Sequence, residues 1–309
     1  MASARKVYAV TGDSRYASAG EVIETTVSAA AAAGVADRVV ATQTKERAHV
    51  SDSDIVTNSG FVRPIDSTMV GWMKPTAVVP LMWETWEFRG SDIDLEACRR
   101  REILVLGTDE GKPPFPMFDY VGLLALKLLF ELGLEGLRTR VLVLGGGRMG
   151  SSIVDVLRRS GCVVTGVSGD SAYGALAAAW RAKGASFDAI LCAEHEDPRL
   201  LIGDEGVLTS ADLADLPNVR VGVVAGNVQR DALVAARTRF LPDMIQPFGF
   251  MSYQPYSLGP RPVLELFASG LKVGWAMATA RRRGLDLAAA ERFALENSPA
   301  MAFHSGSER

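Results

Sequence analysis

The stretch VLVLGGGRMGSSIVDVL, residues 141–157, decides the fold: four apolar β-formers run straight into three consecutive glycines and then into an amphipathic segment. Gly145, Gly147 and Gly150 match G-x-G-x-x-G, with Arg148 and Met149 between the last two. In that pattern the first glycine permits a tight turn, the second lets the backbone approach a pyrophosphate, and the third lets the helix pack closely on the strand. The helix that opens there offers outward N–H groups and a dipole that favours an anion. The spacing predicts a dinucleotide site on a strand-turn-helix unit.

Which dinucleotide is bound turns on the end of the next strand, CVVTGV, where an Asp or Glu about 20 residues on holds the ribose of NAD. Ser168 stands at that position. Asp170 substitutes for the acid if the strand runs on by two residues; otherwise it caps a helix beginning near Ser171. No Arg follows before Arg181 to receive a 2′-phosphate. The reading leans slightly to NAD and keeps NADP as the alternative.

Outward from the loop, β and α segments alternate on both sides, the signature of parallel sheets flanked by helices. Upstream, KVYAVTG (6–12) reads as a strand, 21–33 as an alanine-rich helix stopped by Gly34, and short apolar runs recur at 54–57, 76–80 and 103–106, with helical spacing over 92–101. The prolines and glycines of GTDEGKPPFPMF (107–118) then interrupt regular structure. DYVGLLALKLLFELGLEGL (119–137) reads as a long interdomain helix. Downstream come VLVL, a helix over 151–160, CVVTGV, a helix over 171–183, AILCA, VGVVA and a helix over 263–283. The tail HSGSER reads as frayed. The expected architecture is α/β: a flavodoxin-like substrate domain from 1–115 with 262–309, and a Rossmann domain over 116–261, both doubly wound parallel sheets with a dinucleotide in the cleft between them.

Composition limits the function. The chain has 309 residues, 48% apolar and 22% charged, enough for two cores. A net charge of -3 gives no basic excess to neutralise phosphates, which argues against a nucleic-acid partner. No run is long and apolar enough to suggest a signal peptide or a membrane span. Cys98, Cys162 and Cys192 lie far apart, without metal or disulfide spacing, as expected of buried thiols in a reducing cytoplasm. The partners expected are a small-molecule substrate and a second copy of the chain.

The phrase IDLEAC before a short strand and a G-T turn, the long helix, the GGGRMG loop and the order of elements together resemble the D-isomer-specific 2-hydroxyacid dehydrogenase family, over roughly residues 50–285. The resemblance implies a substrate domain first, an inserted cofactor domain and a returning C-terminal helix. It also implies an Arg that binds the substrate carboxylate, a His that moves the proton and a Glu that tunes the His. This chain departs at each of them. Alignment on Asp231, Ala232 and Leu233 leaves Val223 and Val224 near the Arg position, with Asn227, Gln229 and Arg230 as stand-ins. No acid lies between Ala232 and Leu241, and Phe248 occupies the His position. A Phe carries no proton, so the family's acid-base pair does not transfer.

Other residues must supply the chemistry. His195 follows the AILCA strand between Glu194 and Glu196, where it is either catalytic or a surface loop residue. His49 and His304 read as solvated. Tyr253, with Tyr256, follows the lost His position and either donates a proton or packs against Pro255 and Pro260. Asp119, with Lys112 at the interdomain joint, reaches substrate or caps the long helix. Trp83, Glu84, Trp86 and Glu87 interleave carboxylates with aromatics, which suits an amine-bearing substrate; the alternative puts the indoles in the core and the glutamates in water. Arg63, in TNSGFVRP with Asn58, Ser59 and Gly60, either binds a carboxylate or lies on the surface. No metal site is expected.

The resulting expectation is an NAD(P)-dependent oxidoreductase that moves a hydride to or from a small polar, amine-bearing acid. Two alternatives stay open. One is a non-redox enzyme that retains NAD, as S-adenosylhomocysteine hydrolase does, and the other is a catalytically silent nucleotide-binding relative.

Overall fold

The computed structural model describes residues 4–14, 16–115, 117–183, 186–216 and 218–303, with no account of the side chains of 181–183. The chain forms two compact units, Met1–Asp109 with Phe267–Arg309, and Glu110–Leu266. The sequence reading set the joins at 115/116 and 261/262.

The first unit opens with β1 (Val7–Val10), α1 (Ala19–Ala32) and β2 (Val39–Thr42). Ser18 starts α1 through a capping box with Glu21, which satisfies two backbone donors. There follow α2 (Arg47–Asp52), α3 (Ser67–Trp72), β3 (Val78–Pro80), α4 (Leu95–Arg100) and β4 (Leu104–Thr108). Asp66 and Asp94 cap α3 and α4 through Met69 N and Ala97 N. β1 pairs with β2 in parallel, and β3 with β4. The run at 54–57 is not a strand: Ile55 makes one isolated bridge to Val78.

The second unit contains α5 (Phe118–Glu131), β5 (Arg140–Leu144), α6 (Gly147–Arg159), β6 (Val163–Val167), α7 (Asp170–Lys183), β7 (Ala189–Ala193), β8 (Leu200–Ile202), α8 (Ser210–Ala214), β9 (Arg220–Ala225), β10 (Asn227–Val228), α9 (Arg230–Ala235) and β11 (Arg239–Leu241). Five strands form one parallel sheet in the order β11-β9-β7-β5-β6, and β8 pairs separately with β10. The VLVL run is apolar throughout because Val141 to Leu144 are buried on both faces of this sheet. Leu142, Leu144, Ile190, Cys192, Val221 and Val223 pack with Tyr173 and Trp180 of α7, each such burial contributing about 1.5–3 kcal/mol. α5 stops at Glu131, short of the expected 137, because Gly133 turns the chain at φ +83 and its N–H closes on Phe130. Gly122 brings α5 against α6: a Cβ there would lie 2.8 Å from the Ser152 carbonyl oxygen.

α10 (Pro260–Arg282) leads the chain back to the first unit, where α11 (Leu287–Asn297) and β12 (Ala300–Met301) follow. β12 adds an antiparallel edge to β4, which makes the three-stranded sheet β12-β4-β3 mixed, while β1 and β2 pair as a separate parallel sheet. Cys98, Cys162 and Cys192 are buried and unpaired, and burial pushes the Cys98 and Cys192 thiols up to about 12. Among the described residues no helix is long and apolar enough to cross a membrane.

Candidate functional site

Register sets the site. Leu144 of β5 is level with Val167 of β6 and Cys192 of β7. Gly145 and Ser168 therefore leave the sheet at one carboxyl edge, as does Glu194 one residue further on, and such an edge is where open parallel sheets hold ligands. At Gly145, φ is +141 and a Cβ would collide with the Ala193 carbonyl; at Gly150 a Cβ would collide with the carbonyl of Gly145. Gly147, at φ +59, opens α6, and Gly146 before it supplies no side-chain cap. The result is a cradle of bare backbone at a helix N-terminus that side chains would fill, and it fits a pyrophosphate. Met149 is buried beneath it, while Arg148 is exposed, stacks on Phe118 at 4.8 Å and covers Gly111.

The loop after β7 stands over this cradle. His195 is 4% exposed, which rules out the surface-loop alternative, and its ring lies 6.5 Å from that of Phe118. A Cβ on Gly147 would be 3.1 Å from His195 Cε1 and 2.6 Å from Glu196 Oε1. Glu196 Oε1 is also 3.4 Å from His195 Nε2. Burial lowers the His195 pKa, partly offset by the charges of Glu196 and Glu194, while Arg148 lowers it further. The imidazole is therefore neutral near neutral pH. Glu194, buried beside it, accepts from Tyr173 Oη at 3.1 Å and from the backbone N–H groups of Glu196 and Asp197 at 3.1 and 3.3 Å.

Ser168 faces the loop: a Cβ on Gly146 would lie 3.0 Å from its Oγ. Asp170 is the first residue of α7 and pairs with Arg199, so it neither extends β6 nor precedes the helix as a cap. The sequence reading missed Arg199, named Glu196 only as a neighbour of His195, and missed Phe118. The charge density of EHEDPR (194–199) was the available signal for the first two.

Other candidates lie elsewhere. Tyr253 is buried, and its hydroxyl donates to Glu131 Oε2 at 2.5 Å. Phe118 and Glu131 are the two ends of α5, about 20 Å apart at 1.5 Å per residue. The Tyr253 phenol is thus tied to the end of that helix remote from Arg148, and burial together with Glu131 raises its pKa above the ordinary tyrosine range. Tyr256 is exposed. Asp119 is exposed in the first turn of α5, whose N-cap is Met117, so it is not the cap. Lys112 is exposed too. Val223 and Val224 are buried core residues. Of the stand-ins for the absent Arg, Asn227 donates to Pro198 O at 3.0 Å, Gln229 accepts from Asp204 N at 3.1 Å, and Arg230 donates to Asp243 O at 3.0 Å, so each ties its segment to another loop. His49 is half-buried and stacks on Tyr8 at 4.2 Å, while His304 lies outside the described residues.

In the first unit the loop after β3 does not follow the alternative that put its indoles in the core and its glutamates in water. Glu84 is 2% exposed, whereas Trp83 and Trp86 are only half-buried. The loop is pinned by Asn58 Oδ1, which accepts from Met82 N at 2.9 Å, and by Thr108 N, which donates to Trp83 O at 3.0 Å. Burial pushes the Glu87 carboxyl up to about 7, against the pull of Arg89 and with a smaller push from Glu84. Arg63 is neither free nor on the surface: it pairs with Asp92 at 3.0 Å and lies over the Trp83 ring at 5.2 Å. Arg89 approaches the same Asp92 oxygen at 4.0 Å. This loop thus combines two buried or half-buried carboxylates, two indoles and two guanidiniums that share one aspartate.

No family model matches the chain, and no curated protein matches its sequence. Solved structures do match. D-lactate dehydrogenase with NAD+ from Lactobacillus jensenii is 12% identical, with 88% of this chain and 97% of that chain covered at a TM-score of 0.55. The pyruvate reductase of Chlamydomonas reinhardtii is 13% identical, with 90% and 97% covered at 0.55. A dipicolinate synthase chain from Bacillus halodurans is 12% identical, with 86% and 96% covered at 0.56. At these identities the likeness is one of fold, and the chain has the fold of the NAD-binding 2-hydroxyacid dehydrogenases that its motifs resemble.

Proposed function

We propose that the protein is an NAD(P)-dependent oxidoreductase that transfers a hydride to or from a small polar substrate carrying both an amine and an acid group. The observation behind this reading is the glycine cradle, where a Cβ at Gly145 or Gly150 would strike backbone and Gly147 holds φ +59, at the carboxyl edge of a parallel sheet. Bound NAD(P) would supply or accept the hydride. The first-turn amides of α6 hold the pyrophosphate, Arg148 adds a positive charge beside it, and Met149 and Ser168 shape the loop. His195, neutral because it is buried, takes the substrate proton at Nε2 in the oxidising direction and returns it in the other. Asp119, exposed beside Phe118, is the second ionisable candidate.

In the first unit, Glu84 and Glu87 with the faces of Trp83 and Trp86 form a group that suits an amine. Arg63, paired with Asp92 and lying over the Trp83 ring, is the cation that suits a substrate carboxylate. The test is calorimetric titration with NADH and NADPH, repeated on Gly147→Asp. Binding of at least one dinucleotide is expected, with loss of about 100-fold or more in the variant, because a side chain and a negative charge then occupy the cradle. No heat from either dinucleotide with the wild-type protein would sink the reading.

A further inference from the structure

We infer that the dinucleotide is NADPH and that Arg199 selects it by receiving the 2′-phosphate of the adenosine ribose. This rests on the dinucleotide reading above and goes beyond it, because the sequence around the second strand offers no cation for that phosphate.

The strand end itself is neutral. Ser168 stands where an acid would bind the ribose hydroxyls and repel a phosphate, and its side chain faces the loop. The nearest acid, Asp170, does not present a free charge, since its Oδ1 is paired with Arg199 Nη2. Arg199 arrives from the far side of β5, from the loop after β7, so the loops on both flanks of the glycine cradle meet in this pair.

Arg199 is held in place from behind. Its backbone N–H donates to Asp197 Oδ1 at 2.9 Å, its Nε to Asp197 Oδ2 at 3.2 Å, and its guanidinium lies 5.7 Å from the centre of the Tyr173 ring. Tyr173 is fixed in turn by Glu194. The outer edge of the guanidinium rests on Asp170, whose side chain is 81% exposed. An ion pair so open to water is weak. A phosphate offers two oxygens to the same planar fork and a larger charge, so it displaces Asp170 while the Asp197 and Tyr173 contacts keep Arg199 in position. NADH, with only hydroxyls there, has no such exchange to make.

Calorimetric titration of the whole protein tests this. NADPH is expected to bind at least about tenfold more tightly than NADH. Arg199→Met is expected to erase the difference by weakening NADPH alone, Arg199→Lys to keep part of it, and Asp170→Asn to tighten NADPH several-fold. Thermal melts followed by circular dichroism identify any variant that has lost its fold. If both dinucleotides bind but Arg199→Met changes neither, or if Asp170→Asn weakens NADH, Asp170 or the cradle alone reads the ribose and this inference falls while the dinucleotide reading stands. If neither dinucleotide binds the wild-type protein, both fall.

Discussion

The loop after β3 in the first unit and the loop after β7 in the other unit are similar as text: each puts two glutamates within a few residues at the end of a buried parallel strand. Their carboxylates meet different surroundings. Glu194 is buried but accepts from three donors, the Tyr173 hydroxyl and two backbone amides. Burial is the leading cause acting on Glu87, offset only in part by the charge of Arg89, and among the described residues no hydrogen bond to its carboxyl adds to that offset. The same residue type is thus a fully satisfied brace in one loop and a proton-holding group in the other. The number of donors that converge on a buried charge decides which, since desolvation without partners favours the neutral form.

That contrast is broken most forcefully at Glu87. A carboxyl held at about 7 when folded and near 4.5 when unfolded binds its proton more tightly in the native state. Its contribution to stability is therefore complete below pH 4.5 and lost as pH rises through 7. Glu87→Gln stays neutral throughout, so the variant is expected to be more stable than the wild type by on the order of 2–3 kcal/mol at pH 8, with the gap closing below pH 4.5. Urea melts at both pH values read the difference. Equal stability at pH 8 would mean that Glu87 is as well solvated or as well paired as Glu194.

Glu196 gives the next effect in size. Its carboxylate is 67% exposed, yet it lies over Gly147, where the pyrophosphate is to approach. Like charge at that point opposes the ligand, and the neutral His195 beside it does not cancel the charge. Glu196→Gln is expected to tighten dinucleotide binding by roughly 3- to 10-fold at low salt, with the gain shrinking as salt is added. An unchanged Kd at low salt would show that the anion never comes near Gly147.

Legibility in the sequence followed the range of the interactions. The glycine cradle could be read because its requirements are local: a strand, a turn with no side chains and a helix start, all within 141–157. β5, β7 and α6 sit close to where periodicity put them. β2 was missed because its half-buried residues give no clear alternation, and 54–57 was read as a strand although it lacks a continuous partner. α11 and β12 lay beyond the segment taken as the last helix, although Asp286 ahead of LAAAE is a capping signal. The pairing of Asp170 with Arg199 spans 29 residues and the crossover from β6 to β7. The burial of Glu84 and the exposure of the indoles depend on packing from β4 and on Asn58. Neither has a local signature, so the chemistry was harder to read than the fold.

Tyr253 gives the smallest effect and the cleanest control, because the sequence offered it as a proton donor or a packing residue and the structure ties its hydroxyl to Glu131. Its phenol meets Glu131 at the end of α5, and Glu131 also pairs with Lys127. Removing the hydroxyl therefore leaves the carboxylate a partner, and the loss is that of one hydrogen bond with no buried charge orphaned. Tyr253→Phe is expected to lower stability by about 1 kcal/mol and to leave the affinity for either dinucleotide unchanged. Melting and titration of the one variant separate the two roles: a drop in stability alone keeps the phenol at the remote end of α5. A tenfold weakening of dinucleotide binding in a folded variant would instead make Tyr253 part of the site, and the boundary drawn between bracing and working residues in this unit would have to move.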